Sequence, residues 1–241
     1  MTLHKDSHSS RIVEIIGLAG TGKSTTCKKL RESCPGVLPS YRVARRRLPV
    51  AALRFLPWFV AASPQHGLRD PRGGWTGLYL SIHMDAMIRD LLFRRRKQVG
   101  KLFLDQGPIF NCISAERLAN QGEIHKSASE RMRKLLIENL KFLDDIVVLN
   151  ADLPILLQRI DGRGQDHQIK GSDTGSAQAF LEDYRKRYES ILEDIQERAD
   201  IRIMRIDTGH QDPDQVVSEI CETFQLATHE HVSPADVAST R

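Results

Sequence analysis

The chain has 241 residues, 35 basic and 31 acidic side chains, a formal net charge of +4 and 40% hydrophobic residues. Those values suit one α/β domain of ordinary size with a modest insertion, and they are too mild to argue for a nucleic-acid-binding protein. Four cysteines, Cys27, Cys34, Cys112 and Cys221, show neither C-x-x-C spacing nor a pairing pattern, so zinc and disulfides are not indicated and reduced thiols in a cytoplasmic protein are expected.

Residues 1–10, MTLHKDSHSS, are polar and lack the apolar core of a signal peptide, so a flexible terminus is expected. RIVEII, Arg11 to Ile16, reads as a short buried parallel strand. GLAGTGKST, Gly17 to Thr25, then gives the spacing G-x-x-x-x-G-K-[ST], and KSTTCKKLRES reads as a helix with Cys27, Leu30 and Cys34 on one side. Strand, glycine-rich turn and helix together are the context that makes this pattern a nucleoside-triphosphate cradle. Gly17, Gly20 and Gly22 allow the tight turn that aims several N–H groups at one point, with Thr21 among them. The helix N-terminus adds partial positive charge. Lys23 is expected on the β- and γ-phosphates, the Ser24 hydroxyl on Mg²⁺ and Thr25 near the α-phosphate.

A weakly marked strand is expected near Val37 to Val43, followed over residues 44–100 by a helical insertion broken by Pro49, Pro57, Pro64, Pro71 and Gly73-Gly74. Its apolar run Leu48 to Ala62 carries Arg54 and Pro57 and is too short to span a bilayer, so no membrane role is expected. The basic clusters Arg42 to Arg47 and Arg94 to Lys97 lack interleaved aromatics and read as solvated faces rather than a nucleic-acid surface. Leu80, Met84, Met87, Ile88, Leu91 and Leu92 form a helical stripe. On that helix His83, Asp85 and Arg89 are candidate contacts to a small-molecule phosphate acceptor; the competing reading of Asp85 and Arg89, at i and i+4, is a surface ion pair on the polar side.

KLFLD, Lys101 to Asp105, is a second strand ending in an acid where phosphate-loop enzymes keep a carboxylate near Mg²⁺. Asp105 is a candidate to hold the metal or accept a proton, with Gln106 beside an acceptor; a plain turn at Asp105-Gln106-Gly107-Pro108 is the competing reading. Met132, Leu135, Leu136, Leu140 and Leu143 mark another helix, and DIVVLN, Asp145 to Asn150, a third strand. Arg159 and Arg163, at i and i+4, are candidate cations for the transferring phosphoryl group, followed by a Gly-rich, charged lid over residues 161–176 that carries His167 and Lys170. FLEDYRKRYESILEDI forms a long amphipathic helix, IRIMRI (Ile201 to Ile206) a fourth strand, and Asp212-Pro213 opens the last helix. One domain is expected over residues 11–226 with a flexible tail at 227–241.

Absent motifs narrow the function. Asn150-Ala151-Asp152 replaces the N-K-x-D of a GTPase, and no LSGGQ-like run points to a transport ATPase. An ATP-dependent phosphotransferase is therefore expected. A nucleotide-binding regulatory module, whose lid and basic-apolar segment engage a partner or membrane surface, is the reading from another class.

GLAGTGKST, FLDQGP and RIDGRGQDHQIKG followed by FLEDYRKRYESIL together resemble the thymidylate-kinase and deoxynucleoside-kinase branch of P-loop kinases. The resemblance implies an α/β fold of the P-loop NTPase type: three α/β/α layers around a mainly parallel sheet of about five strands, with a helical acceptor region and a lid. It implies ATP and Mg²⁺ as cofactors and a nucleoside or nucleotide acceptor. It places Asp105 as the strand-end acid, Arg159 and Arg163 as lid arginines, and Asp207 and Thr208 where such kinases pass the adenine. Long helices around Leu80 to Leu92 and Met132 to Leu143 could pair across a homodimer, as in related kinases. Two positions depart from the pattern: Gln106 stands where thymidylate kinases carry arginine, and no Glu-x-Trp lies between Val37 and Trp58.

Overall fold

Four parallel strands, β1 (Arg11–Gly17), β2 (Lys101–Leu104), β3 (Asp145–Asn150) and β4 (Arg202–Asp207), form one sheet in the order β2-β1-β3-β4. This computed structural model describes residues 11–34, 37, 52–53, 71–97, 100–162, 164 and 167–226. The helices are α1 (Lys23–Ser33), α2 (Pro71–Arg96), α3 (Pro108–Asn120), α4 (Lys126–Glu138), α5 (Leu153–Asp161), α6 (Thr174–Arg198) and α7 (Pro213–Thr223).

Strand alternation sorts the core into two layers. Ile12, Ile16, Leu102, Leu104, Ile146 and Val148 pack with the residues of α2 to α6 on one face. Val13, Ile15, Phe103, Val147, Leu149 and Ile206 pack with Cys27 and Leu30 of α1 and Val216, Val217 and Ile220 of α7 on the other. Buried on both faces, β1 and β3 hold the short β-branched runs that such strands require.

The sheet has four strands among the described residues rather than about five. Val37 makes an isolated parallel bridge to Lys101 at the β2 edge, where a fifth strand would begin, and residues 38–43 lie outside the described residues. Of the insertion expected over 44–100, α2 is its long described helix; the cluster Arg42 to Arg47 and the apolar run Leu48 to Ala62, apart from residues 52 and 53, also lie outside. So do the expected terminal segments 1–10 and 227–241. The helix expected to run through Leu140 and Leu143 stops at Glu138. The chain leaves α-geometry at Asn139 and a separate short 3₁₀ turn, Leu140–Phe142, carries the apolar residues into the core. α3 was not announced by any apolar stripe; Pro108 at its first position starts it. The last helix begins as expected, with Asp212 accepting from the Asp214 and Gln215 N–H groups and Gln215 returning to the Asp212 N–H.

Candidate active site

The loop after β1 turns back under the C-terminal ends of the strands, the edge where open α/β sheets bind ligands. Gly17 has φ 149, and a Cβ there would lie 2.3 Å from the Leu149 carbonyl oxygen of β3, so the loop can leave the sheet only through glycine. Gly22, with φ 88, is the N-cap of α1, and no acidic side chain stands in the first turn of that helix. The N-terminal N–H groups of α1 therefore face an opening with a positive partial charge. Thr21 is buried and its hydroxyl donates to the Leu18 carbonyl at 2.9 Å, which braces the loop from inside.

Lys23 is half-buried and its Nζ donates to the Gly17 carbonyl at 2.9 Å and the Leu18 carbonyl at 2.8 Å. The ammonium is thus folded over the loop that carries it. Ser24 and Thr25 are exposed in the first turn of α1. The Ser24 hydroxyl donates to Asp105 Oδ2 at 2.6 Å, joining two residues 81 positions apart. One hydroxyl and one carboxylate are the hard oxygen donors that suit Mg²⁺, an ion that takes few protein ligands and completes its shell with phosphate and water. No cluster of three or more His, Cys, Asp or Glu side chains able to hold a metal occurs among the described residues.

A cavity of about 460 Å³ opens beside the loop, lined by Gly20, Gly22, Thr25, Arg159, Thr208 and Gln211 among others. Arg159, on α5, donates from Nη2 to the Thr208 carbonyl at 2.6 Å and from Nη1 to the Thr208 hydroxyl at 3.3 Å. Thr208 is buried and held by Asn150: its N–H donates to the Asn150 carbonyl at 2.7 Å and its hydroxyl to the same oxygen at 3.0 Å. Asp207 is exposed and uses its carboxylate on the Gly209 N–H at 2.8 Å, which shapes the turn after β4. Arg159 therefore stands in the cavity wall, joined to Thr208 and, from Nη1, to the Gly20 carbonyl of the glycine-rich loop at 3.5 Å. Its helix ends at Asp161, and Arg163 lies outside the described residues. Of the lid residues, Ile169 is buried in the core, and the His167 ring sits edge-on to Phe180 of α6 at 6.2 Å.

The acceptor candidates divide. Gln106 is exposed on the turn after β2, and its carbonyl accepts from Asn111 Nδ2 at 3.2 Å. The same Nδ2 lies 3.9 Å from Met87 Sδ, so the middle of α2 stands against this turn. His83 lies one turn before Met87, half-buried, and burial pulls its imidazole below the ordinary value. Asp85 and Arg89 do pair at 2.7 Å, but Asp85 is buried, so this is no surface ion pair on a polar face.

Sequence reading missed Glu14, in the middle of β1. Its side chain is fully buried and accepts from the Ile109 and Phe110 N–H groups at 3.1 and 3.0 Å. Burial pushes this carboxyl up to about 8, against the lowering by the backbone N–H groups of Phe110, Ile109 and Gly107. A lone acid inside an otherwise apolar buried strand was the available signal. Gln211, Pro213 and Val216 also line the cavity, a role the sequence does not announce.

No protein-family model and no curated protein matches the chain. Among solved structures it is similar to the deoxyadenosine kinase of M. mycoides. The structure of that enzyme with products dCMP and a flexible dCDP bound aligns with a TM-score of 0.55 and 13% identity, over 89% of this chain and 98% of that one. The structure with bound dATP aligns with a TM-score of 0.52 and 14% identity, over 88% and 98%. The chain thus has the α/β fold of these kinases.

Proposed function

We propose that the chain is an ATP- and Mg²⁺-dependent phosphotransferase that moves the γ-phosphoryl group to a small-molecule acceptor, a nucleoside or nucleotide. The observation that carries this reading is the 2.6 Å contact between Ser24 and Asp105 at the mouth of the phosphate loop. A strand-end acid joined to the loop hydroxyl is what metal-assisted phosphoryl transfer requires, and a merely structural glycine turn does not need it. The fold shared with a deoxyadenosine kinase supports the acceptor class.

In this reading the backbone N–H groups of Gly20 to Ser24 cradle the phosphate chain, and Lys23 moves from the Gly17 and Leu18 carbonyls onto phosphate oxygens. Ser24 and Asp105 would hold Mg²⁺, which would supply charge to neutralise the phosphates. Asp105 also orients the attacking hydroxyl or accepts its proton. Arg159 and Thr208 form the wall against which the donor base lies, so Arg159 serves donor binding, and Arg163 from the lid is the cation for the transferring group. Gln106, His83 and the Asp85–Arg89 pair line the acceptor side, where α2 meets the turn after β2.

The test is ATP turnover with Mg²⁺ over nucleosides, nucleoside monophosphates, sugars and hydroxylated metabolites, with phosphorylated product identified by mass. Lys23→Ala is run beside the native chain and is expected to lower turnover by roughly a hundred- to a thousand-fold. ATP bound tightly with no product from any acceptor would replace this reading with a nucleotide-controlled binding module.

A further inference from the structure

We propose that Glu14 is a positioning residue, which holds the turn bearing Asp105 and Gln106 in fixed relation to the phosphate loop. The proposal rests on the phosphotransfer reading for the role of Asp105, but the contacts that carry it are independent of that reading.

The backbone accounting at the start of α3 leads to Glu14. Pro108 occupies the first helical position and has no N–H, and the Asn111 N–H closes the first helical bond onto the Gly107 carbonyl at 3.1 Å. That leaves the Ile109 and Phe110 N–H groups. The N-cap, Gly107, has no side chain to serve them, and no acid stands in the first turn of α3. Glu14, reaching across from a different element 95 and 96 positions away, satisfies both, one with each carboxyl oxygen. An N-cap is normally local, whereas this one belongs to the central strand.

Gly107 supports the same conclusion from its own side. Its φ is −82 and its ψ −167, extended backbone open to any residue, so conformation does not call for glycine. Space does: a Cβ at Gly107 would lie 2.4 Å from Glu14 Cδ and 2.5 and 2.7 Å from its two oxygens. Asn111 ties the same turn from the helix side, donating to the carbonyls of Gly107 at 2.8 Å and Gln106 at 3.2 Å. Two residues before Gly107 stands Asp105, on Ser24. In the ladder Glu14 is opposite Leu104, the residue that precedes Asp105. Three residues after Glu14 comes Gly17, where the phosphate loop begins. A single strand thus sets both halves of the Ser24–Asp105 contact, one through the chain and one through its carboxyl group.

The experiment compares native chain, Glu14→Gln, Glu14→Ala, Gly107→Ala and the double variant Glu14→Ala/Gly107→Ala. Glutamine keeps one acceptor and turns a donor toward the other N–H. Glu14→Gln is expected to lower kcat at least tenfold while KM for ATP stays within twofold, because the donor cavity is untouched. Gly107→Ala is expected to lower kcat by a similar factor in the native background and by less than twofold beside Glu14→Ala, where the collision is gone. Hydrogen exchange over residues 105–110 is expected to quicken at least tenfold in Glu14→Gln, with residues 146–149 unchanged. The exchange arm needs no activity. A native chain that transfers phosphate to nothing would defeat the phosphotransfer reading, while the exchange pattern and its dependence on Gly107 would still decide the Glu14 contact. Unchanged kcat in a Glu14→Gln protein that melts like the native one, equal costs of Gly107→Ala in both backgrounds, or exchange that quickens everywhere alike would each overturn the proposal.

Discussion

At the N-terminal edge of the sheet, Asp145 is held by two guanidiniums: Arg11 Nε donates to it at 2.6 Å and Arg202 Nε at 2.8 Å. Both arginines also lie over the Phe224 ring, at 4.8 and 4.7 Å from its centroid. Toward the C-terminal edge, the acids are held differently. Asp105 takes one hydroxyl hydrogen, and Glu14 takes only backbone N–H groups. The first edge holds its acid between two of its own side chains, which an aromatic ring covers. The second edge carries Lys23, folded onto the Gly17 and Leu18 carbonyls, and the N-terminus of α1, whose first turn has no acidic side chain. The same sheet is thus closed by ion pairs and a ring at one edge and opens onto a cavity beside the glycine-rich loop at the other.

Three substitutions probe that division. Asp105→Asn keeps the size of the side chain and loses the charge that the proposed reaction uses for metal or proton. Turnover is expected to fall roughly a hundred- to a thousand-fold with the melting temperature unchanged or raised, as steady-state kinetics and thermal melting would report. Equal loss of stability and activity would make Asp105 a structural residue like Asp145.

Asp145→Asn acts at the other edge and leaves two guanidiniums facing a neutral group. A loss of about 2 kcal/mol in urea unfolding is expected, at the low end for a broken buried pair because both arginines are partly in water. The kcat of the folded protein should stay within twofold. A kcat that falls without loss of stability would erase the difference between the edges.

The third test concerns pH. Glu14 has its folded value raised from 4.5 to about 8, chiefly by burial. The folded chain therefore holds the Glu14 proton more tightly than the unfolded one. That stabilisation is fully present below pH 4.5 and is lost as pH rises through 8. Relative to Glu14→Gln, the native chain is expected to lose stability across that window, by at most about 1.4 kcal/mol per pH unit, and to hold a constant difference above it. Paired urea unfolding curves at several pH values would measure this, and a difference that does not vary with pH would show that Glu14 titrates alike in both states.

Several parts of the fold were legible before any coordinates. The loop from Gly17 to Thr25, the β-branched runs of β1 and β3 and the start of α7 at Asp212-Pro213 are each specified within a few consecutive residues. The less legible parts have physical causes. α3 is buried by elements on several sides, so it shows no clean apolar stripe. Its N-terminus is satisfied from β1, so it carries no local capping signal beyond Pro108. Asp85 looked like a surface residue because i and i+4 spacing identifies an ion pair without saying what lies over it. The partners of Arg159, Thr208 and Gly20, were not legible because its place in the order of the chain does not set the direction of its side chain.

By itself the sequence determined the glycine-rich loop, whose backbone shape follows from glycines and a helix start within nine positions, and the alternation that gives the strands two buried faces. Only the tertiary structure decided that Ser24 meets Asp105, that Glu14 caps α3 and that Arg159 closes on Thr208, pairs 81, 95 and 49 positions apart. Local conformation is written by neighbouring residues through steric and hydrogen-bond preferences. Contacts across such separations exist only after the sheet has set strand order and register, and no spacing rule along the chain encodes that result.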